Sequence, residues 1–341
     1  MSETTESLRK KLNRASELQS VVRTMKALAA SNIGQYERSV EALADYYKTV
    51  ELGLGVCFRE SISGPGTIKR KTKKREEIGA EKNIEKEERE KIGKIEEIEE
   101  TGKIEKTKKT QIKKQNSSGP VGAVIFGSDQ GLVGQFNDII VDYALKTLEE
   151  SQGKLQVWAV GERVFALLEN AGLKPEGYFS VPNSVKGITP LIGQILIKSE
   201  TLYNQAENAE FLLFYNRPKS RILYEPVNQR LLPLDEIWQQ ELAELAWPTR
   251  TLPQVIGKSA ETLRALIDEY LFVSLFKACA ESLASENASR LSAMQRADKN
   301  IEELLEELNG SFYRLRQSGI DEELFEVISG FEALSQTHSP E

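Results

Sequence analysis

The stretch LRALIDEYLFVSLFKACAESLASENASRLSAMQRADKNIEELLEELNGSFYRL, residues Leu263–Leu315, decides the fold. Mostly apolar or small residues recur along it in alternating steps of three and four. This 3.5-residue period predicts a long helix that packs along a second helix. The positions of the stripe are Leu263, Leu266, Tyr270, Val273, Lys277, Ala280, Ala284, Asn287, Leu291, Met294, Asp298, Ile301, Leu305, Leu308, Phe312 and Leu315.

A stripe of the same period occupies the start of the chain. At ~1.5 Å rise per residue its helix reaches roughly 70 Å, longer than an ordinary domain. Polar residues interrupt the two stripes, most clearly at Lys26, Asn287 and Asp298. The positions are Leu8, Leu12, Ala15, Gln19, Val22, Lys26, Ala29, Ile33, Tyr36, Val40, Leu43, Tyr47, Val50 and Leu54.

Composition excludes several classes of protein. A chain of 341 residues with 40% hydrophobic residues predicts two or three domains with a packed core. The two cysteines, Cys57 and Cys279, lie far apart, which favours neither a disulfide framework nor a zinc site. The single histidine, His338, excludes histidine-dependent triads and metal sites. The start, Met1 to Leu12, is too polar for a signal peptide, and no apolar segment is long enough to span a membrane, so we expect membrane association only through partners.

A charged tract separates the first stripe from the middle of the chain. Between Phe58 and Pro120 the sequence is dominated by Lys, Glu, Ile, Thr and Gly. Residues 69–114 carry 17 Lys/Arg and 12 Glu. Such a composition predicts a solvated insert without a packed core. No aromatic residue interleaves its basic runs, so we expect no nucleic-acid partner.

The middle of the chain alternates short apolar runs with helical patterns, which predicts a small α/β layer with a partly parallel sheet. We expect strands at 121–126, 155–160 and 210–215 and an edge strand at 221–232. We expect helices at 138–150, 162–170 and 190–205, and a polar stretch at 235–244.

Two glycine-containing segments resemble phosphate loops. Gly127-Ser-Asp-Gln-Gly131-Leu-Val-Gly134 joins a strand to a helix, but its spacing is GxxxGxxG, and a tight turn is the favoured interpretation. Gly257-Lys258-Ser259 copies the tail of a Walker A loop, but Leu252 stands where the first glycine is required. The Glu pairs at 302–303 and 306–307 are typical of a solvated helix flank, so no catalytic residue, cofactor site or metal site is expected.

Four ordered segments resemble the gamma subunit of F-type rotary ATP synthases, the central stalk. They are Gln19-Ser-Val-Val-Arg-Thr-Met-Lys-Ala-Leu-Ala-Ala30, Ser128-Asp-Gln-Gly-Leu-Val-Gly-Gln-Phe-Asn137, Glu281-Ser-Leu-Ala-Ser-Glu-Asn-Ala-Ser-Arg-Leu-Ser-Ala-Met294 and Arg316-Gln-Ser-Gly-Ile-Asp-Glu-Glu-Leu-Phe-Glu-Val-Ile-Ser-Gly330. The sequence of Val21–Tyr36 resembles most the alternate branch of the family, which is associated with sodium-translocating ATPases.

The resemblance implies an α/β fold with a long antiparallel coiled coil, in which the N- and C-terminal helices pair and a Rossmann-like α/β domain lies between them. We expect an N-terminal coiled-coil helix at 1–58, the insert at 59–119, the Rossmann-like domain at 120–246 and a C-terminal coiled-coil helix at 247–341. The implied partners are the alpha3beta3 hexamer, the epsilon subunit and the c-ring, on the cytoplasmic face of the plasma membrane. The subunit itself would be a non-catalytic part of an ion-translocating ATPase.

The resemblance also assigns residues. The rotor-collar contacts would be Arg23, Met25, Lys26, Glu286, Arg290, Gln317 and Asp321. The family motif loop would be Ser128, Asp129, Gly131, Gly134, Phe136 and Asn137. The sequence departs from the family pattern at Asp321, where threonine is usual, and at Phe331, where alanine is usual. Gly319 is expected to end a helix that Asp321 caps again.

Two other classes of function remain open at this point. One is a nucleotide-binding α/β enzyme that uses the Gly127–Gly134 loop, and the other is a free-standing coiled-coil adaptor protein. Nucleotide binding by the isolated chain would favour the enzyme. Stable complexes without an alpha3beta3 hexamer would favour the adaptor.

Overall fold

Two very long helices flank a small α/β domain in the chain. The computed structural model describes residues 4–63, 119–151, 153–203, 209–219, 223–249, 251 and 253–336. Most of the predicted insert, and His338, lie outside the described residues. The elements in chain order are α1 Thr5–Ser63, β1 Val121–Phe126, α2 Phe136–Leu148, β2 Leu155–Val160, α3 Glu162–Asn170, β3 Gly177–Phe179, α4 Val185–Tyr203, β4 Glu210–Pro218, β5 Tyr224–Leu232, α5 Glu236–Glu244 and α6 Ser259–Gln336.

The five strands form one mixed sheet in the order β3-β2-β1-β4-β5. The first four strands are parallel, which agrees with the predicted partly parallel sheet. Strand β5 lies at the edge, as predicted, and pairs antiparallel with β4. Alternate residues of β1 face opposite sides. Val124 and Phe126 pack in a core shared with α1, α4 and α6, whereas Ala123 and Ile125 pack against α2 and α3. Both faces of the sheet are therefore covered, which explains the continuous apolar run of β1.

The helices α1 and α6 pack side by side in opposite directions. Arg23 contacts Asp298, whereas Tyr46, further along α1, contacts Glu269, which is earlier in α6. Up to Val50, the buried positions of α1 are spaced by seven residues, as the heptad pattern predicts, except that the intervening Leu43 is only partly buried. They are Leu8, Ala15, Val22, Ala29, Tyr36 and Val50.

Several local predictions agree with the structure and others are wrong. Strands β1 and β2 and helix α3 have the predicted bounds. Helix α4 begins at Val185, so Pro190 lies inside it and does not start it. A proline removes one helical hydrogen bond, here to the carbonyl of Lys186, and burial of Ile188 and Ile192 offsets the loss.

Two further predictions were wrong, one for the stretch after Asp235 and one for Gly319. The stretch after Asp235 is the helix α5, whose first turn is capped because Asp235 accepts a hydrogen bond from the Ile237 amide at 2.8 Å. Helix α6 runs unbroken through Gly319, which does not adopt a positive φ. A glycine inside a helix costs only about 1 kcal/mol, and the neighbouring residues outweigh it. The short strand β3 was not predicted.

The end of α1 is fixed to α5 by its backbone as well as by its side chains. The Arg59 guanidinium donates to the carbonyl oxygens of Ala243 and Leu245 at 2.9 and 2.8 Å. A Cβ atom at Gly55 would overlap the carbonyl oxygen of Leu242, whereas one at Gly34, in the same helix, would meet nothing within 4 Å.

We therefore expect Gly55→Ala to destabilise the chain by about 1–3 kcal/mol, because α5 must move away from α1. Gly34→Ala is the matched control and is expected to be neutral or to stabilise by up to about 1 kcal/mol. Urea denaturation of the full-length chain measures both. Equal effects of the two substitutions would contradict this packing.

Candidate functional site: the helix pair and the loop docked on it

The polar interruptions of the two heptad stripes meet one another across the helix pair. Lys26 Nζ lies 2.5 Å from Asp298 Oδ2, and Arg23 Nε lies 3.2 Å from Oδ1 of the same carboxylate. The hydrogen bond from Lys26 and the one from Arg23 lower the pKa of Asp298. The polar residues that interrupt the two stripes are thus partners of one another. Their contact favours one register of the two helices over the neighbouring registers.

A second polar contact lies further along the pair. The Asn32 amide donates to Asn287 Oδ1 at 3.4 Å, and Asn287 in turn donates to the Leu283 carbonyl at 2.8 Å. Towards the start of α1, apolar side chains fill the space between the two helices. Met25 packs there with Val22, Met294 and Ile301. Of the predicted collar contacts, Arg23, Met25 and Lys26 therefore lie together with α6 residues.

Glu286 and Arg290 form an ion pair on α6. Arg290 Nη2 lies 2.7 Å from Glu286 Oε1, and the Glu286 side chain is 7% exposed. The other carboxylate oxygen, Oε2, is buried without a hydrogen-bond partner in the described part of the chain. Burial raises the pKa of Glu286 to about 7, Arg290 opposes this shift, and the charge of Asp129 adds to it.

The family motif loop, residues 127–137, is held together by its own side chains. The Ser128 amide donates to Asn137 Oδ1 at 3.0 Å, and the Asn137 amide group donates to Ser128 Oγ at 2.8 Å. Gly127 is required by packing, because a Cβ atom there would overlap Val164 of α3. Phe136 is fully buried, with its carbonyl bonded to the Asn216 amide group of β4 at 2.9 Å.

Asp129 joins the loop to two other elements. One carboxylate oxygen accepts from the Glu162 amide at the start of α3 at 3.0 Å, and the other accepts from the Val181 amide at 2.9 Å. The first bond satisfies a helix N-terminal amide, as a capping residue does. The loop acts as a tight, internally satisfied turn, and this geometry favours the turn over a phosphate cradle.

The loop also docks on α6. Ser289 donates its hydroxyl hydrogen to the carbonyl oxygen of Val133 at 2.5 Å, one turn from Glu286 and beside Arg290. The α/β domain is therefore joined to the helix pair at the segment Glu281–Met294. Sequence reasoning recognised both segments but not this contact, because nothing in either segment identifies its partner.

Two of the remaining predicted residues lie apart from this cluster. Gln317 and Asp321 are exposed on the last part of α6, and Gly131 lies within the loop without a neighbour near a Cβ position. Gly257 adopts φ 99° in a connection where Lys258 pairs with Glu261 at 2.9 Å. The Walker-like tail is thus an exposed turn before α6. No helix among the described residues is long and apolar enough to cross a membrane.

We expect Asp129→Ala to destabilise the full-length chain by about 2 kcal/mol, because two amides lose a charged acceptor. Asp142→Ala, at an exposed position of α2, serves as the control and should change stability by no more than about 0.5 kcal/mol. Denaturant titration measures the difference. A loss below about 0.5 kcal/mol for Asp129→Ala would show that water replaces the carboxylate.

A pH dependence follows from Glu286. The folded chain holds this proton more tightly than the unfolded chain, so the contribution of Glu286 to stability falls as the pH rises from about 4.5 to about 7. Glu286→Gln removes that fall. The difference in Tm, variant minus parent, should therefore be more positive at pH 7.5 than at pH 5, measured by circular dichroism.

The control for this prediction is Glu303→Gln, which removes an exposed carboxylate 3.6 Å from Lys299 on the same helix. Its Tm difference should be nearly the same at both pH values. A Glu286→Gln difference that is independent of pH would mean that the buried carboxylate stays ionised throughout.

Comparisons with known proteins agree on one family. The family model described as ATP synthase matches residues 4–334. The ATP synthase gamma chain of Geobacter metallireducens is 32% identical over 217 residues, which is 62% of this chain and 72% of the relative. That of Elusimicrobium minutum is 28% identical over 235 residues, 67% of this chain and 75% of the relative.

Two solved structures share the fold at low identity. The rotor of the Euglena gracilis mitochondrial ATP synthase, in rotational state 1, aligns with a TM-score of 0.55 at 16% identity over 93% of this chain and 98% of that one. A chain of the OSCP/F1/c-ring structure from the same organism, in rotational state 3, aligns with a TM-score of 0.57 at 17% identity over 99% and 97%. The match to the family model and the similarity to the Geobacter relative show that this chain belongs to the ATP synthase gamma chain family.

Proposed function

We propose that this chain is the central-stalk rotor subunit of an F-type ATP synthase, which couples ATP synthesis or hydrolysis in an alpha3beta3 ring to ion translocation by rotation. The observation that carries the proposal is the end of α6, residues 318–330, which we call the α6 tip. All its residues from Ile320 onward are exposed, although several are large and apolar. They are Ile320, Leu324, Phe325, Val327 and Ile328.

The α6 tip extends past the start of α1. In the register that Arg23 and Asp298 set, Thr5, the first residue of α1, is level with residues near about 316. The tip therefore lacks a partner helix within the described chain. Exposed apolar residues on one helix mark a surface that another protein covers. A single helix with exposed apolar residues fits inside an apolar sleeve that a ring of other subunits forms.

The helix pair would then act as a left-handed antiparallel coiled coil, stiff enough to transmit torque. The heptad burial of α1 and the ion pair of Lys26 with Asp298 support this geometry. Catalysis would belong to the alpha3beta3 ring. An asymmetric shaft inside a nearly threefold ring makes the three sites inequivalent in turn, so the rotor angle sets nucleotide affinity.

The collar contacts are proposed in three groups along the shaft. Arg23, Met25 and Lys26 would face a beta subunit, and Gln317 and Asp321 would lie near the upper end of the ring. In the ion pair of Glu286 with Arg290, the Glu286 side chain is buried, so only the Arg290 side chain, which is 15% exposed, is available to a collar. We infer that Arg290 makes that contact while Glu286 holds it in position.

The foot of the rotor would be the α/β domain, with the epsilon subunit and the c-ring as its neighbours. The chain would then be a peripheral membrane protein on the cytoplasmic face of the plasma membrane, held there by its partners. The α/β domain supports this arrangement because its loop 127–137 is fixed to α6 at Ser289, so rotation of the foot would turn the shaft.

We propose that the chain belongs to the sodium-translocating branch, because the sequence of Val21–Tyr36 resembles that branch most. Ion choice resides in the c-ring, so the test uses the whole complex. ATP hydrolysis by the detergent-solubilised complex is expected to rise with sodium concentration at fixed ionic strength. Hydrolysis that is independent of sodium at all pH values would exclude this branch.

The α6 tip provides the test of the rotor proposal. Leu324→Ser with Val327→Ser removes two exposed apolar side chains, each worth about 1.5–3 kcal/mol when fully buried. We expect the affinity of the chain for an alpha3beta3 ring to fall more than tenfold, measured by surface plasmon resonance. The Tm of the free chain should not change.

The matched control is Glu323→Gln with Glu326→Gln, at exposed positions interleaved with the first two. Its affinity should remain within about threefold of the parent, as expected for polar positions at an interface rim. An unchanged affinity for the Leu324/Val327 variant would contradict insertion of the tip. Failure of the parent chain to bind the ring at all would favour the free-standing adaptor.

A further inference from the structure

The family motif loop and α6 meet at a joint that contains a buried carboxylate. Ser289 donates its hydroxyl hydrogen to the carbonyl oxygen of Val133 across this joint. The next residue of the loop is equally close, because a Cβ atom added at Gly134 would lie 3.6 Å from Ser289 Oγ and 3.8 Å from Arg296 Nη2. Glu286 lies one turn before Ser289 on α6 and is 5% exposed. The α/β domain is thus joined to the helix pair beside a buried acidic group.

The Glu286 carboxylate has a partner at only one of its two oxygens. Arg290 Nη2 lies 2.7 Å from Oε1, whereas no described residue donates a hydrogen bond to the buried Oε2. An ionised carboxylate loses its hydration on burial and needs hydrogen-bond donors at both oxygens to offset that loss, whereas a neutral carboxyl group loses much less. The closed joint therefore favours the protonated form of Glu286.

Charged and titratable groups reach Glu286 from α1, α6 and the family motif loop. Burial and then the charge of Glu286 raise the pKa of the Tyr36 phenol on α1 to about 12, and the same two causes raise the pKa of the Cys279 thiol on α6. Both groups are neutral, so neither supplies a positive charge. Burial, together with the charge of Asp129 in the loop, raises the pKa of Glu286 to about 7, and Arg290 opposes this rise without cancelling it.

We propose that ionisation of Glu286 loosens the joint between the α/β domain and α6, so that the joint responds to pH. In the loosened state the family motif loop lifts from α6, water reaches Oε2 of Glu286, and the charge of Asp129 moves away. Protonation of Glu286 restores the closed state. The joint lies within this chain, so the inference does not depend on the rotor function. In a rotor, the α/β domain would be held more tightly to the shaft at acidic pH.

The direction of the pH dependence follows from proton linkage. As Glu286 becomes hydrated on opening, its pKa falls from about 7 towards its ordinary value of 4.5. The closed joint therefore binds the proton more tightly than the open one. Its stability is greatest at acidic pH and falls as the pH rises from about 4.5 to about 7, above which both states are ionised and the dependence ends.

Thiol labelling of a Val133→Cys variant of the full-length chain measures the opening. Val133 is 2% exposed, and it is its backbone carbonyl that bonds to Ser289, so the substitution keeps that bond. The rate of reaction with dithiodipyridine, divided by the rate for a short peptide of the same sequence at the same pH, gives the equilibrium constant for opening. We expect this constant to rise at least about tenfold from pH 5 to pH 7.5, because each unit of pKa difference is worth a factor of ten.

Two further variants, made in the Val133→Cys chain, assign the effect to one carboxylate. Glu286→Gln keeps the site neutral at every pH and should remove the rise. Glu303→Gln is the matched control, since it removes an exposed carboxylate of α6, and it should leave the rise intact. The buried thiol Cys279 reports opening of the helix pair itself, and mass spectrometry of peptides measures its labelling separately. Its opening constant should be smaller than that of Val133→Cys at both pH values.

Three results would overturn the proposal. The first is an opening constant at Val133→Cys that does not change between pH 5 and pH 7.5. The second is a rise that persists in the Glu286→Gln variant, which would assign the pH dependence to another group. The third is an equal opening constant for Val133→Cys and Cys279 at both pH values, which would show that the loop opens only when the whole chain unfolds.

Discussion

The contact of Lys26 with Asp298 is the constraint on which the rest of the structure depends. Two long helices with a heptad stripe can slide past one another by whole heptads with little change in apolar burial. A lysine and an arginine on α1 that share one carboxylate on α6 remove that freedom, because each shifted register leaves the charges without partners. The fixed register then determines where α6 emerges beyond α1 and how long the α6 tip is.

The same register brings the α/β domain to its place on α6. Small residues from Ala278 to Ser289 allow close approach, and the loop of Asp129 and Asn137 fills the space beside them. A buried carboxylate at Glu286 is costly there unless it is paired, and Arg290 supplies the partner from the same helix. Stiffness therefore arises from polar groups whose partners are supplied locally and from a domain that is fixed to the shaft by the bond of Ser289 to Val133.

Sequence patterns predicted the long helices and most of the sheet because both depend on the period of apolar residues. The heptad of α1 and the apolar run of β1 have such a period over many positions. Short or locally irregular features were missed for physical reasons. Strand β3 has only three residues and no buried face, and the helix containing Pro190 depends on tertiary burial of Ile188 and Ile192.

The candidate site was predicted as separate segments and not as a contact surface. Lys26 and Asp298 were recognised as interruptions, but their pairing depends on the register of two helices 272 residues apart in the chain. The bond between Ser289 and Val133 likewise joins two motifs that carry no mark of each other. Family resemblance supplied the motifs, and only the fold supplied their geometry.

The most direct test of the shaft is observation of rotation. The chain would be assembled with alpha and beta subunits, the ring fixed to a surface by its alpha and beta subunits, and a bead attached to the α/β domain. The account predicts stepwise rotation of the bead in one direction when ATP is added. A bead that stays still while the ring hydrolyses ATP would contradict it.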